Sequence, residues 1–236
     1  MSNYIVCLDA GHGGGDPGAC YGNLIEKDIV LRTALTCRNV LTNHGVDVVM
    51  TRTSDVFVGL SQRATIANNA NVNYFVSIHC NAGGGDRGEV ISSIYRGKGL
   101  ELSNKIAAEM KAIGQDVVKE YDKKGDGGTD YYAVIRETNM DSIIVECAFL
   151  DNTTDNQIID TVEEQELFGV AIAKGILAQL GTPYNGEPIK SEPVAPSAPS
   201  RVEVSKEQAD VYYQVYANGR WLPEVKNLTD YAGIYG

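Results

Sequence analysis

At 236 residues, 43% of them hydrophobic, the chain has room for one medium-sized domain and a small second unit. Its net charge of -11 excludes the basic footprint that non-specific binding to DNA or RNA requires, and no apolar run approaches the length of a transmembrane helix. The five cysteines are an odd number without a CxxC pair, which predicts reduced, mostly buried thiols and neither a disulfide framework nor a zinc cage. Met1-Ser2-Asn3 leads directly into an apolar stretch with no basic segment or cleavage site, so synthesis in the cytoplasm without a signal peptide is expected.

Residues 4–8 are short, apolar and β-branched, and predict a buried strand. The strand gives way to Asp9-Ala10-Gly11-His12-Gly13-Gly14-Gly15-Asp16-Pro17-Gly18. Glycines and a proline at this density forbid a helix and give a loop that turns tightly and approaches a ligand closely, its glycines keeping side-chain bulk out of a cleft. Helical spacing of Ile29, Leu31, Ala34, Leu35, Val40 and Leu41 predicts a helix over 26–43, closed by Gly45. A strand over 46–50, a helix over 60–70 and a strand over 73–78 follow, the last running into His79-Cys80-Asn81-Ala82 and a second glycine-rich loop. Residues 89–95 read as a strand, 99–113 as a helix, and 122–130 as an exposed polar loop at the rim of a site. Strands over 131–135 and 142–147 and a helix over 162–180 complete the pattern. Strands alternating with helices predict an α/β fold: a single twisted, largely parallel or mixed sheet covered by helices.

His12, His79 and Glu146 each fall at the end of a different predicted strand, and Glu26 opens the helix after the first. Ligands of α/β sheets sit where strand ends and loops converge. A zinc hydrolase needs three ligands from His, Asp or Glu, one open position for water, and a carboxylate base near that water. His12, Glu26 and His79 can supply the ligands and Glu146 the base, its pKa raised by burial at the end of an apolar strand. Each residue also has a structural alternative. Glu26 suits the first turn of a helix by its dipole, Glu146 can pair with Arg136, and His79 can be a satisfied strand-terminal histidine. His44, beside Gly45 at a helix end, is expected to have no catalytic part. Asp9 and Asn81 flank the histidines and are candidates to orient them; Arg52 and Arg63 are expected to fix helix and loop.

The run 9–19 followed by Glu26-Lys27-Asp28 resembles the N-terminal motif of the zinc-dependent N-acetylmuramoyl-L-alanine amidases. Three further stretches are similar to that family in order: Thr51-Arg52-Thr53 with Leu60, Arg63 and Ala64; Ser77-Ile78-His79-Cys80-Asn81-Ala82; and Val145-Glu146-Cys147-Ala148-Phe149-Leu150-Asp151-Asn152. Ala10, Cys80 and Asp141-Ser142 depart from the common pattern. The resemblance spans residues 3–180 and implies one catalytic Zn2+ held by His12, Glu26 and His79, with Glu146 as the catalytic glutamate. It implies hydrolysis of the amide between N-acetylmuramic acid and L-alanine in peptidoglycan. A zinc carboxypeptidase or endopeptidase on the stem peptide, and a wall-binding protein without catalysis, are the alternatives.

These readings divide the chain into a catalytic domain over 1–182, a linker over 183–200 and a small module over 201–236. Ser191-Glu192-Pro193-Val194-Ala195-Pro196-Ser197-Ala198-Pro199-Ser200 is proline-alternating, which predicts an extended, semi-stiff linker. The module is rich in aromatics (Tyr212, Tyr213, Tyr216, Trp221, Tyr231, Tyr235) and resembles the small wall-binding repeats of bacterial and phage lysins. Aromatic faces suit sugar rings, so a cell-wall polymer is the partner expected there. Taken with the absent signal peptide, this arrangement fits a phage or prophage endolysin, or an autolysin of a sporulating mother cell, acting on the wall after release.

Overall fold

The computed structural model describes residues 4–186 and, beyond them, the backbone of four two-residue strands within 212–226. Two units divide between Ser197 and Ala198. In the first, β1 (Ile5–Ala10), β4 (Asp47–Met50), β5 (Tyr74–Asn81), β6 (Gly88–Ser92), β7 (Val118–Asp122) and β8 (Asp141–Phe149) form one sheet in the order β4-β1-β5-β8-β6-β7. A small hairpin, β2 (Cys20–Tyr21) with β3 (Leu24–Ile25), leads into α1 (Glu26–Asn43). The neighbours β4, β1, β5 and β8 run parallel, while β6 is antiparallel to β8 and parallel to β7. The sheet is therefore mixed, and the C-terminal ends of β1, β5 and β8 lie along one edge. In the second unit β9 (Tyr212–Tyr213) pairs with β12 (Val225–Lys226) and β10 (Tyr216–Ala217) with β11 (Arg220–Trp221), all antiparallel. The expected linker lies outside the described residues from 187 onward, as does most of the expected module.

Side chains alternate across a strand with a period of two. Val6, Leu8, Val76, Ile78, Val90 and Val145 face a large core closed by α1, α3 (Lys98–Ala112) and α6 (Val162–Leu180). Their neighbours in sequence, Cys7, Phe75, Ile91 and Ile144, face a smaller cluster under α2 (Leu60–Asn69) and α4 (Ala133–Arg136). The same alternation sends Asp9, Ser77, His79, Glu89 and Glu146 to this second face. Two short helices cannot cover it, and a cavity of about 460 Å³ opens between Phe57 and Leu60 on one side and Tyr132 and Val134 on the other. The one-turn α5 (Thr153–Asn156) and α6 are capped by side chains: Asn152 accepts from Thr154 N, and Thr161 with Glu164 forms a reciprocal capping box.

Two elements depart from the sequence expectation. Residues 131–135 are no strand; Ala133–Arg136 is a single helical turn whose Val134 and Ile135 plug the second face. Their aromatic and β-branched character suits a strand, but β preference yields to where burial is needed. The sixth strand is instead Val118–Asp122, an edge strand mostly open to solvent, whose Lys119 and Glu120 hide the alternation that marks a half-buried strand. A smaller shift matters more for the site: β5 continues past 78, so His79 stands inside a paired strand and not after it, in register with Glu146 on β8. The cysteines are free, four of them buried and Cys20 exposed.

Candidate metal centre

The loop after β1 is shaped by its glycines to admit the other site residues. A Cβ on Gly11 would overlap the His79 ring, and one on Gly18 would overlap the Glu26 carboxylate. The missing side chains thus make room for the ligand cluster itself, where the sequence suggested room for a substrate. His12 adopts a left-handed backbone (φ 57), a conformation that costs a non-glycine residue about 1 kcal/mol or more and needs the surroundings to hold it.

Three side chains from three elements meet here. Glu26, at the first position of α1, places Oε1 3.0 Å from His12 Nε2 and 3.0 Å from His79 Nδ1. The same oxygen accepts from Cys80 N at 2.9 Å, while Oε2 accepts from Ala19 N at 2.7 Å. One ligand atom from each residue lies within 4.8 Å of the others, close enough for the three to hold one metal ion. Electrostatics agree with a cation at the centre. Burial of Glu26 opposes its charge, but hydrogen bonds from His12 and His79 outweigh that and hold it down at about 2. Burial likewise disfavours the charged imidazoles, yet the Glu26 hydrogen bond raises His12 and carries His79 up to about 9.

Glu146 pairs in register with His79 across β5 and β8 and lines the same cavity. Burial raises its carboxyl to about 7; His79 pulls it down, and Glu26 and Glu89 push it up. Its Oε2 is buried and finds no hydrogen-bond partner among the described residues. An unmet buried acceptor costs about 1–3 kcal/mol, and this one belongs to a residue that lines the same cavity as His12 and His79. The residues present therefore fit a zinc ion: two imidazoles and a carboxylate as donors, with a carboxylate acceptor left open beside them.

The sequence profile of the N-acetylmuramoyl-L-alanine amidase family matches residues 6–178, a span that holds all four of these residues. The chain belongs to that family. CwlM, an N-acetylmuramoyl-L-alanine amidase of Bacillus licheniformis, is 37% identical over 183 residues, 76% of this chain and 68% of that protein. The endolysin of Bacillus phage SPP1 is 30% identical over 236 residues, 95% of this chain and 84% of that protein. Among solved structures, the catalytic domain of the amidase CwlV from Bacillus (Paenibacillus) polymyxa matches with a TM-score of 0.67 at 30% identity, over 76% of this chain and 99% of that one.

Within the amidase domain, a buried polar floor supports the ligands. Arg63 donates to the carbonyls of Ala10 (2.6 Å) and His12 (2.7 Å), and Arg52 to those of Ala10 (2.9 Å), Gly11 (2.7 Å) and Lys27 (2.8 Å). Two guanidiniums thus collect three successive carbonyls of the strained turn, which agrees with the structural part expected of them. Asp9 carries the balancing charge. Its carboxylate accepts from Arg63 (2.7 Å), Thr51 (2.6 Å) and Ser77 (2.6 Å), and so fixes Arg63 instead of orienting a histidine. Asn81 also turns away, accepting from Ala82 N and donating to Glu89. The residue that orients His12 is Asp16, whose Oδ2 lies 2.9 Å from His12 Nδ1. A carboxylate only accepts, so it draws the proton to Nδ1 and leaves Nε2 to face the cluster. Asp16 stands four residues from His12 on the same loop, a spacing legible in sequence only once the loop's fold is known. Arg136 does not pair with Glu146; it donates to the carbonyls of Asp130 and Tyr131. His44 caps α1, bonded to Val40 O and stacked on Tyr184.

Proposed function

We propose that this chain is a zinc-dependent N-acetylmuramoyl-L-alanine amidase in which His12, Glu26 and His79 hold the metal and Glu146 is the general base. The observation that carries the reading is the meeting of three ligand atoms within 4.8 Å of one another, beside a buried carboxylate oxygen with nothing yet to accept. Bound zinc supplies Lewis-acid chemistry, activating water and stabilising the oxyanion formed when an amide carbon is attacked. The protein's own groups do the rest. Asp16 keeps His12 in the ligating tautomer, the two arginines hold its backbone, and Glu146 takes the proton of the attacking water and returns it to the leaving nitrogen. A carboxyl with a pKa near 7 is suited to both transfers at neutral pH.

The linker over 183–200 and the module over 201–236 are read as a tether and a wall-binding unit, raising the local concentration of substrate. The support is the SPP1 endolysin match, which covers 95% of the chain against 76% for CwlM and so extends beyond the amidase domain. Action on the wall after release from a cytoplasm belongs to the same reading. No helix among the described residues is long and apolar enough to cross a membrane.

Mass spectrometry of digested peptidoglycan tests the reaction. Free stem peptides beginning at L-alanine, with intact glycan strands and loss of products on chelation, are expected. Shortened peptides still attached to muramic acid would replace the amidase by a peptidase.

A further inference from the structure

Beside Glu146 lies a second buried carboxylate that the reaction does not use. Glu89, only 4% exposed, stands on β6 directly opposite Glu146 on β8, so both side chains share the cavity face. Arg87 grips its Oε1 through Nε (2.7 Å) and Nη2 (2.6 Å). Arginine never gives up its proton, and this pairing keeps Glu89 an acceptor. On the other side, Oε2 accepts from the Tyr121 hydroxyl at 3.0 Å. Tyr121, on β7, is in turn 3.4 Å from the hydroxyl of Tyr132, the residue that caps α4 and forms part of the cavity wall.

Counting protons along this row fixes its direction. A phenol has one. Tyr121 spends its proton on Glu89 Oε2, so toward Tyr132 its oxygen can only accept. Tyr132 must then donate inward, and its oxygen is left with lone pairs and no proton to offer the cavity. A wall position in this cavity that can only accept selects for donors. Sugar hydroxyls can donate or accept, whereas the amide N–H groups of the acetamido substituent and of the peptide can only donate, and so they match an oxygen that can only accept. A donor arriving at Tyr132 would polarise the whole row and tighten its long 3.4 Å link.

We propose that Tyr132 is a substrate-binding residue whose hydroxyl oxygen accepts a hydrogen bond from an amide N–H of the muramyl peptide, and that Tyr121 and Glu89 are positioning residues that commit its proton inward. This rests on the amidase reading above and extends it to how the substrate is held. The test uses the full-length, zinc-loaded protein and a soluble muramyl peptide, with products identified by mass spectrometry. Tyr132→Phe is expected to raise KM about three- to tenfold, the worth of one neutral hydrogen bond, with kcat within about twofold and zinc content and melting temperature unchanged. Tyr121→Phe should raise KM less, and the double variant should match Tyr132→Phe alone, because Tyr121 acts through Tyr132. Glu89→Gln keeps the shape but can donate to Tyr121, which reverses the row and should reproduce the Tyr121→Phe effect on KM. An unchanged KM in Tyr132→Phe, a loss confined to kcat, or additive effects of the two tyrosines would overturn the proposal while the wild-type products leave the amidase reading intact. A wild-type protein that releases no stem peptide would overturn that reading and this proposal together.

Discussion

The two faces of the sheet are made by the same strands, residue by residue in alternation, and they differ in nearly every physical respect. On the face under α1, α3 and α6, fully buried Phe168, Ile172, Ile176, Leu102 and Ile106 belong to one apolar core with Val6, Leu8, Val76 and Ile78. On the other, Asp9, Ser77, Glu89 and Arg63 are just as inaccessible but polar, and each is tied by hydrogen bonds or ion pairs. The first face gathers the hydrophobic stabilisation that lets the second hold charges, a left-handed histidine and an unmet carboxylate. Stability and chemistry are thus separated by a single residue step along each strand.

Several substitutions sharpen that contrast. Glu146→Gln should lower turnover by about a hundredfold to ten-thousandfold, the range for a lost general base, with zinc retained. It should also leave the metal-free protein as stable as wild type or more so, since a buried acid pushed up to about 7 works against folding once ionised. Near-normal hydrolysis by this variant would assign the base elsewhere. Phe168→Ala on the first face should do the opposite: a loss of about 3–5 kcal/mol in stability by denaturant titration, with kcat in the folded fraction unchanged. Asp16→Ala should weaken zinc binding about ten- to hundredfold in a chelator competition while moving stability little, because Asp16 is half-exposed and acts through His12. Equal zinc affinity would remove its orienting part.

The polar face also sets the pH dependence of the metal-free protein. His79 has a folded pKa raised to about 9 and Glu146 one raised to about 7, so both contribute stability below their ordinary values that is lost as pH rises through the raised ones. Glu26, held down at about 2, contributes stability above its ordinary value that is lost as pH falls toward 2. Calorimetry in chelator should therefore show a melting temperature that is highest at about pH 4.5, where the Glu26 and Glu146 contributions balance, and declines toward pH 9. Zinc displaces the same protons, so its affinity should rise over that interval. A melting temperature that climbs from pH 6 to 9 without metal would contradict this charge arrangement.

The helices and the long parallel strands were legible because they obey one period over many residues: α1 and α6 fall where the apolar spacing puts them. The edge strand Val118–Asp122 was not, since an edge open to solvent has no face whose burial the sequence must encode. The run 131–135 misled for the complementary reason. Its side chains look like a strand's, but a full strand was not what the thin face needed. At the site, His12, Glu26, His79 and Glu146 were legible through four ordered motifs and through their positions at strand and helix ends. Asp16 and the row Glu89, Tyr121 and Tyr132 carried no such mark, because each takes its meaning from a partner on another element or from the fold of a loop.

The sequence by itself determined the alternating apolar and polar positions of the strands, the glycines of the first loop, and the four motif residues proposed for the centre. Those follow from local periodicity, from conformational freedom and from motif. Only the tertiary structure decided that Gly11 and Gly18 make way for His79 and Glu26, that Asp9 serves Arg63 and not a histidine, and that Glu89 lies opposite Glu146. These depend on register between strands and on approach between elements distant in the chain, where a displacement of one residue would turn each side chain to the opposite face.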